Sequence, residues 1–413
     1  MTLPLDAITV LELGQVYLGP YCGLLLARLG AEVIKIEPLG GEPVRQRGDG
    51  EETKAFSFLN AGKKSVCLDL KTSEGKQLFL DLLVTADVVI ENYAVGTMAR
   101  LGLDYDVLQS VNPRIILGSG TGYGSTGPYR RYKSLDPNVQ ALTGIMSVTG
   151  FADNPPVKTG PAVVDFSAGV HLMAGILAAL LQRTTTGRGQ HVEVAMQDAI
   201  LPTLTSNLAG LLDGGPEMPE RTGNRHGGLA LCPYNVYPTS DGWVSILAIN
   251  DVQWRALAQA TGDPMLSSDA SFATNASRVK RMDEVDSRIA AWTETMTADQ
   301  VNALLQPPGV PCAPVRTLAS LFADEHVIER RMLRSIEANG TTHWVFGSPI
   351  LFDGAICADP APPPVLGGDT RTILAHRLGI SNERCTVLHQ SLVVHVDGLP
   401  ISKSVDSGAL DRE

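Results

Sequence analysis

Ile8-Thr-Val-Leu-Glu-Leu13, the apolar segment from Tyr21 to Leu29 that stops at Gly30, and Glu32-Val-Ile-Lys-Ile-Glu37 together decide the fold. Two short strand-like runs flank one helix-length segment, the pattern of a right-handed βαβ unit in a parallel sheet. The alternation then continues. After a glycine- and charge-rich loop (Pro38 to Thr53) come the strand Ser65-Val-Cys-Leu-Asp-Leu70, a helix from Ser73 to Val84 and the strand Asp87-Val-Val-Ile-Glu-Asn92. Helical pieces from Thr97 and up to Asn112-Pro113 lead into the strand Arg114-Ile-Ile-Leu-Gly118. Doubly wound α/β sequence of this kind gathers its ligands at the carboxyl ends of the strands.

Gln15-Val16-Tyr17 follows the first strand, Lys71 the third, Asn92-Tyr93 the fourth, and Gly118-Ser-Gly-Thr-Gly-Tyr-Gly124 the fifth. Taken singly these residues have ordinary uses, Tyr17 and Tyr93 in packing and Lys71 as a solvated charge. Their convergence on one sheet edge is more informative. Lys71, Arg100 and the run Arg130-Arg131-Tyr132-Lys133 give that edge a basic rim suited to phosphates.

The rim matters because the chain as a whole is acidic. Its 413 residues carry a formal charge of −11, with 44% hydrophobic and 19% charged residues. That balance argues against a general nucleic-acid binder. The N-terminus has no basic leader followed by a long apolar core, and no run reads as a membrane span, so a cytoplasmic protein without membrane partners is expected. Cys22, Cys67, Cys232, Cys312, Cys357 and Cys385 lack C-x-x-C spacing, so neither a zinc site nor a disulfide framework is expected.

One carboxylate stands apart. In Gly160-Pro-Ala-Val-Val-Asp165-Phe-Ser-Ala-Gly169, Asp165 sits where a loop passes into the helical run through Leu172, Ile176 and Leu180. The pattern predicts an N-cap Asp, kept ionised by first-turn amides and the helix dipole. Most such residues only cap helices, but a fixed, ionised carboxylate is also what a nucleophile on an acyl thioester must be.

Beyond it, Gln190 to Met196 reads as a strand and Gln197 to Leu212 as a helix, followed by the linker-like Asp213 to Pro219 and the glycine-rich Gly223-Asn-Arg-His-Gly-Gly228. The expected organisation is a large domain over 1–213, a linker and lid over 214–232, a small α/β domain over 233–330, a return to the large domain over 331–393 and a polar tail over 394–413. Within the small domain, Trp243 to Ala248 is an expected strand and Val252 to Thr261, Arg278 to Thr293 and Ala298 to Leu305 are expected helices. Gly309 to Val315 reads as a crossing too rich in proline for a central strand, and Leu318 to Arg334 as a helix. Gly347 to Gly368 is expected to lie over the large domain. Gly122-Tyr-Gly-Ser-Thr-Gly127 matches G-x-G-x-x-G, but Pro128 and a basic run replace the helix, so no dinucleotide fingerprint is inferred and a nucleotide-dependent oxidoreductase is disfavoured.

Taken together, the chain resembles the family III CoA-transferases. The resemblance runs from about residue 3 to about residue 390 and rests on Leu5-Asp-Ala-Ile-Thr-Val-Leu-Glu-Leu13, Gly19-Pro20, Leu29 to Glu37, Asn60 with Lys63-Lys-Ser65, Leu68 to Lys71, Glu91-Asn-Tyr93 with Gly96, Asn112-Pro-Arg114, Gly150, Gly160, Asp165, Gly187-Arg-Gly-Gln190 and Ala195 to Ala199. It implies a Rossmann-like large domain with a parallel sheet, a smaller α/β domain and an interlocked, ring-like homodimer. It also implies an acyl-CoA and a small carboxylic acid as partners, with the CoA thioester as substrate and no tightly bound cofactor or metal. The family's nucleophile falls on Asp165, and its CoA-lining residues on Val16, Tyr17, Leu68, Lys71, Asn92, Tyr93, Arg100 and Lys133.

The chain departs from the formyl-CoA:oxalate enzymes at Pro38, where those have an arginine, at Asp136, which replaces a catalytic glutamate, and at Gly227-Gly228, which shortens a mobile tetraglycine loop. These changes point away from oxalate and formyl-CoA. Arg225 is a candidate for the free carboxylate of a dicarboxylic substrate or an ordinary loop arginine; His226 is a candidate lid donor or a turn residue. The same superfamily includes acyl-CoA racemases, whose His-Asp-x-Asn motif aligns with Leu135-Asp136-Pro137-Asn138; leucine cannot take a proton, so transfer is favoured over racemisation. A non-catalytic CoA-binding protein remains the reading that does not need Asp165.

Overall fold

Strands buried on both faces read as continuous apolar runs. The computed structural model, which describes residues 3–47, 53–215, 218–338, 340–356 and 358–399, forms such strands at β1 (Thr9–Glu12), β2 (Glu32–Glu37), β3 (Lys64–Leu68), β4 (Val88–Glu91) and β5 (Ile116–Thr121), with the partly exposed β6 (His191–Ala195) at the edge. They pair in parallel in the order β3-β2-β1-β4-β5-β6, and the strand Val394–His395 adds antiparallel to β3. Strand order reverses between β1 and β4, the switch point where open α/β sheets bind ligands. Cys357, residues 48–52 of the charged loop, 216–217 of the linker-like segment and tail residues 400–413 lie outside the described residues.

Two helices cover the switch point. α1 (Leu18–Arg28) connects β1 to β2, and the long helix Val163–Thr186 packs against α1, β5 and β6. That long helix corrects the expectation that no run is apolar enough to span a membrane, since its length and mean hydropathy of 1.8 suffice. One face of it lies in the core of the first unit. Val164, Ala168, Leu172, Met173, Ile176 and Ala179 are buried, and Arg183 near its end pairs with Asp87 at 2.8 Å.

Beneath the carboxyl ends of β1 and β2 lies a buried charge network. Glu12 accepts from Lys35 Nζ at 2.9 Å and pairs with Lys63 Nζ at 2.7 Å, while Arg45 pairs with Glu37 at 2.7 Å. Glu42 lies 3.4 Å from Lys35 and takes the Val16 amide at 3.0 Å, so three carboxylates balance three cations. Burial alone lowers the Lys35 ammonium, but Glu12, Glu42 and Glu37 more than reverse it. Burial draws Lys63 down to about 8 despite Glu12. The network needs Gly23 of α1, where a Cβ would stand 1.9 Å from Glu12 Oε2.

The chain divides into two compact units, one made of Met1–Val139, Ala162–Ile200 and Asp324–Glu413, the other of Gln140–Pro161 and Leu201–Ala323. The division differs from the expected boundaries in placing 140–161 and 201–213 with the second unit and in starting the return at Asp324. The physical reason is local packing. Gly223 donates its amide to Gly150 O at 3.0 Å, and a Cβ on Gly210 of the helix Thr205–Gly214 would meet Gly228 Cα at 2.7 Å.

The second unit builds the antiparallel sheet Tyr234–Thr239, Gly242–Leu247 and Cys312–Pro314 over a core including Tyr237, Trp254, Phe272, Val285, Ile289 and Val301. Cys312–Pro314 corrects the reading of a mere crossing, since proline is tolerated on an edge strand. The expected helix from Arg278 breaks into Asn275–Val279 and Met282–Thr293, and the one from Gln197 breaks at a turn containing Pro202. The helix expected over Leu318 to Arg334 is realised as the short pieces Ala319–Ala323 and Glu325–Glu329, and its last two residues open the strand Leu333–Ala338, which pairs antiparallel with Thr341–Phe346. The Asn339-Gly340 pair in the sequence is a strong hairpin signal that went unread. The segment after it does cover the first unit, with Pro362 O accepting from Gly62 and Pro364 O from Arg45.

Removing one partner from a buried ion network leaves the others uncompensated, which costs about 3–5 kcal/mol. Glu12→Ala and Gly23→Ala are therefore both expected to destabilise the protein strongly, measured as loss of midpoint in urea denaturation. A change in either below about 1 kcal/mol would mean that the network does not support the fold.

Candidate active site

Asp165 does not cap its helix. The N-cap is Ala162, so Asp165 occupies the third helical position, and the first-turn amides are taken by another residue. Asp136 Oδ2 accepts from Val164 N at 2.8 Å and from Asp165 N at 3.2 Å. The expected roles are thus partly exchanged. Asp136 is buried and bonded as the helix's capping group, while the half-buried Asp165 carboxylate accepts no hydrogen bond among the described residues. The expectation of an Asp165 held ionised by the helix is corrected accordingly: burial, and then the Asp136 charge, push its carboxyl up to about 7, and Arg47 opposes them.

The strand ends come together on the same sheet edge. Val16 adopts a left-handed backbone (φ 64°) between Gln15 and Tyr17, a conformation costly for a β-branched residue and held by the hydrogen bond its N–H donates to Glu42 Oε2. Asn92 clamps this loop, accepting from Gln15 N at 2.7 Å and donating to Gln15 O at 2.9 Å. Gly19 allows the clamp, since a Cβ there would stand 2.9 Å from Asn92 Oδ1. Tyr17 stacks on Phe166, the neighbour of Asp165, with centroids 5.8 Å apart.

Other expected CoA-site residues divide into two groups. Lys71, Arg100 and Lys133 are exposed on loops or helix ends at this edge, and Arg100 donates to Thr97 Oγ1 at 2.9 Å. Leu68 and Tyr93 face inward. Leu68 is 1% exposed in the sheet core, so its backbone is what a ligand can meet, and burial with the Glu91 charge pushes the Tyr93 phenol up to about 12. The glycine run after β5 is pinned by Ser125 Oγ donating to Glu193 at 2.6 Å, which makes it a turn, as the missing fingerprint suggested.

Arg225, His226, Gly227 and Gly228 lie in the second unit. Arg225 is already paired with Asp286 and Asp283, each at 2.7 Å, and Asp286 also accepts from Tyr237 and Asn235. It is not the unengaged cation that a carboxylate clamp requires. His226 Nδ1 accepts from Gly228 N at 3.2 Å and closes a local turn. Gly227 and Gly228 press on the helix Thr205–Gly214, where Cβ atoms would stand 2.8 Å from Asn207 and from Ser206 O, so close packing accounts for both glycines.

The profile of CoA-transferase family III matches residues 5–370. The chain belongs to that family. It is a CoA-transferase. It is 38% identical over 390 residues to the succinate–glutarate CoA-transferase of Agrobacterium fabrum, covering 90% of this chain and 95% of that one. It is 36% identical over 403 residues to the succinyl-CoA–D-citramalate CoA-transferase of Chloroflexus aurantiacus, with 95% and 98% covered. Among solved structures it resembles a CaiB/BaiF family protein from Brucella suis, with a TM-score of 0.80 and 35% identity over 91% of this chain and 100% of that chain.

The two carboxylates pose an electrostatic problem: Asp165 can ionise only beside Asp136 in a partly dry site. Arg47 is the functional candidate that sequence reading missed. It stands in a loop without periodicity, and no local signal separates it from its neighbour Arg45.

If Asp165 is the nucleophile its anion is the reactive form, so transfer is then expected to rise with pH through about 7 and Asp136→Asn to move that midpoint downward. The linkage runs the same way in stability. Asp165 binds its proton more tightly in the folded state, so the wild type loses stability relative to Asp165→Asn as pH rises from about 4 to about 7, measured by melting temperature. Parallel melting curves across that window would contradict the shifted carboxyl.

Proposed function

We propose that this CoA-transferase moves CoA from a dicarboxylic acyl-CoA to a small carboxylate acceptor, with Asp165 as nucleophile. The observation carrying the reading is a carboxylate at the first turn of the long helix, without a hydrogen-bond partner among the described residues, beside the sheet edge that holds Val16, Tyr17, Lys71 and Asn92. The named relatives that act on succinate, glutarate and D-citramalate support the dicarboxylate class.

In the proposed course, an Asp165 oxygen attacks the thioester carbonyl; the C–S bond breaks, CoA leaves as thiolate and a mixed anhydride remains on Asp165. The thiolate then attacks the aspartyl carbonyl, releasing the donor acid as carboxylate and leaving an aspartyl-CoA thioester. The acceptor carboxylate reverses these two steps and departs as the new acyl-CoA. Lys71, Arg100 and Lys133 meet the CoA phosphates in this reading, and Asp136 fixes the helix end that presents Asp165.

The active form in this reading is an interlocked homodimer in the cytoplasm. Support comes from the exposed apolar stripe Val170, Ala174, Ala178 and Leu181 on the long helix, with Leu181 72% exposed. Such a stripe suits a partner surface. Racemisation is not favoured, because Leu135 stands where a second proton-transferring base is required.

Asp165→Asn is expected to lower exchange between succinyl-CoA and dicarboxylate acceptors by at least about 10³-fold while CoA binding by calorimetry stays within about threefold. Retained exchange in this variant would remove Asp165 from the mechanism.

A further inference from the structure

Two arginines on the segment after β2 have opposite surroundings. Arg45 is buried, bonds Glu37 through Nε at 2.7 Å and through a terminal nitrogen at 3.0 Å, and lies over Phe56 at 3.6 Å. It belongs to the fold. Arg47 is exposed, and among the described residues its guanidinium makes no hydrogen bond or ion pair; it lies over the Tyr17 ring at 5.9 Å. Tyr17 in turn stacks on Phe166, the residue after Asp165, and Phe166 meets Tyr21 edge-on at 4.7 Å. A guanidinium held by an aromatic face keeps its donors available to a ligand.

The local charge makes such a cation useful. Asp165 and Asp136 are neighbours, so an acyl group carrying a further carboxylate enters against two negative charges. Arg225, the other candidate, is spoken for by Asp283 and Asp286. A planar guanidinium offers two parallel N–H groups that match a carboxylate, which a solvated lysine does not.

We propose that Arg47 binds the free carboxylate of a dicarboxylic acyl group positioned at Asp165, and thereby selects dicarboxylic over monocarboxylic substrates. The proposal rests on the reading of Asp165 as the nucleophile. Tyr17 holds the guanidinium over the acyl end of the site, and Arg45, anchored on Glu37 two residues earlier, fixes the backbone from which Arg47 extends.

The test uses the full-length protein and two donors of similar length, succinyl-CoA and butyryl-CoA, with kcat/KM for each measured in the wild type, Arg47→Leu and Arg47→Lys. The ratio of succinyl-CoA to butyryl-CoA efficiency is expected to fall about 10²-fold in Arg47→Leu, with the loss on the dicarboxylic donor, and to recover in part in Arg47→Lys. An unchanged ratio with both donors slowed equally would overturn the proposal and make Arg47 a modulator of Asp165, a role that the pH midpoint of the variant would register. An unchanged ratio with neither donor slowed would overturn it outright. A wild type that transfers CoA from neither donor, despite binding CoA, would instead overturn the reading of the function on which the proposal rests.

Discussion

Glu12 is buried between two lysines, and the first unit depends on that arrangement. A carboxylate with no exposure is tolerable only when cations and donors surround it. Lys35 comes from β2, Lys63 from the residue before β3, and Gly23 leaves the space on α1. The bonds therefore tie three consecutive segments of the sheet to the helix that covers them. Lys35 also donates to Gly14 O at 2.7 Å and Lys63 to Pro20 O at 2.7 Å, so the same network fixes both sides of the loop carrying Gln15, Val16 and Tyr17. Such a network contributes geometry more than net stability, because desolvation offsets much of its Coulomb energy.

From that fixed loop the site is assembled outward. Asn92 clamps Gln15 from β4, Tyr17 reaches Phe166 on the long helix, and Asp136 takes the amides that would otherwise hold Asp165. The consequence is a division of labour between two carboxylates. Asp136 accepts the first-turn amides of the long helix, and Asp165 is left with burial and a neighbouring carboxylate, which raise its carboxyl to about 7. A carboxylate made basic in this way is a better nucleophile than one capping a helix.

The sheet was legible because strands buried on both faces announce themselves as apolar runs, and Glu32–Glu37 has the predicted bounds. The charges within those runs were visible as well. Their pairing was not, since Glu12 and Lys35 are 23 residues apart and meet only through parallel pairing. The site was legible as strand ends and as one carboxylate, but its capping partner comes from 29 residues upstream, which no local motif encodes. Local pattern therefore misplaced the cap by three positions, from Ala162 to Asp165. Arg45 and Arg47 looked alike in sequence, and only burial separates the one bonded to Glu37 from the exposed one over Tyr17. The pairing of Leu333–Ala338 with Thr341–Phe346 was missed for a different reason: the Asn-Gly signal in the sequence went unread, and only Leu333 and Arg334 fall in the helix expected over 318–334.

The most direct measurement of the central claim is chemical trapping of the covalent enzyme. The protein is incubated with succinyl-CoA, quenched with hydroxylamine, digested and mapped by peptide mass. The account predicts a donor-dependent hydroxamate on Asp165 and on no other carboxylate. A modification located on another residue, or none at all from an enzyme that is demonstrably turning over, would contradict it.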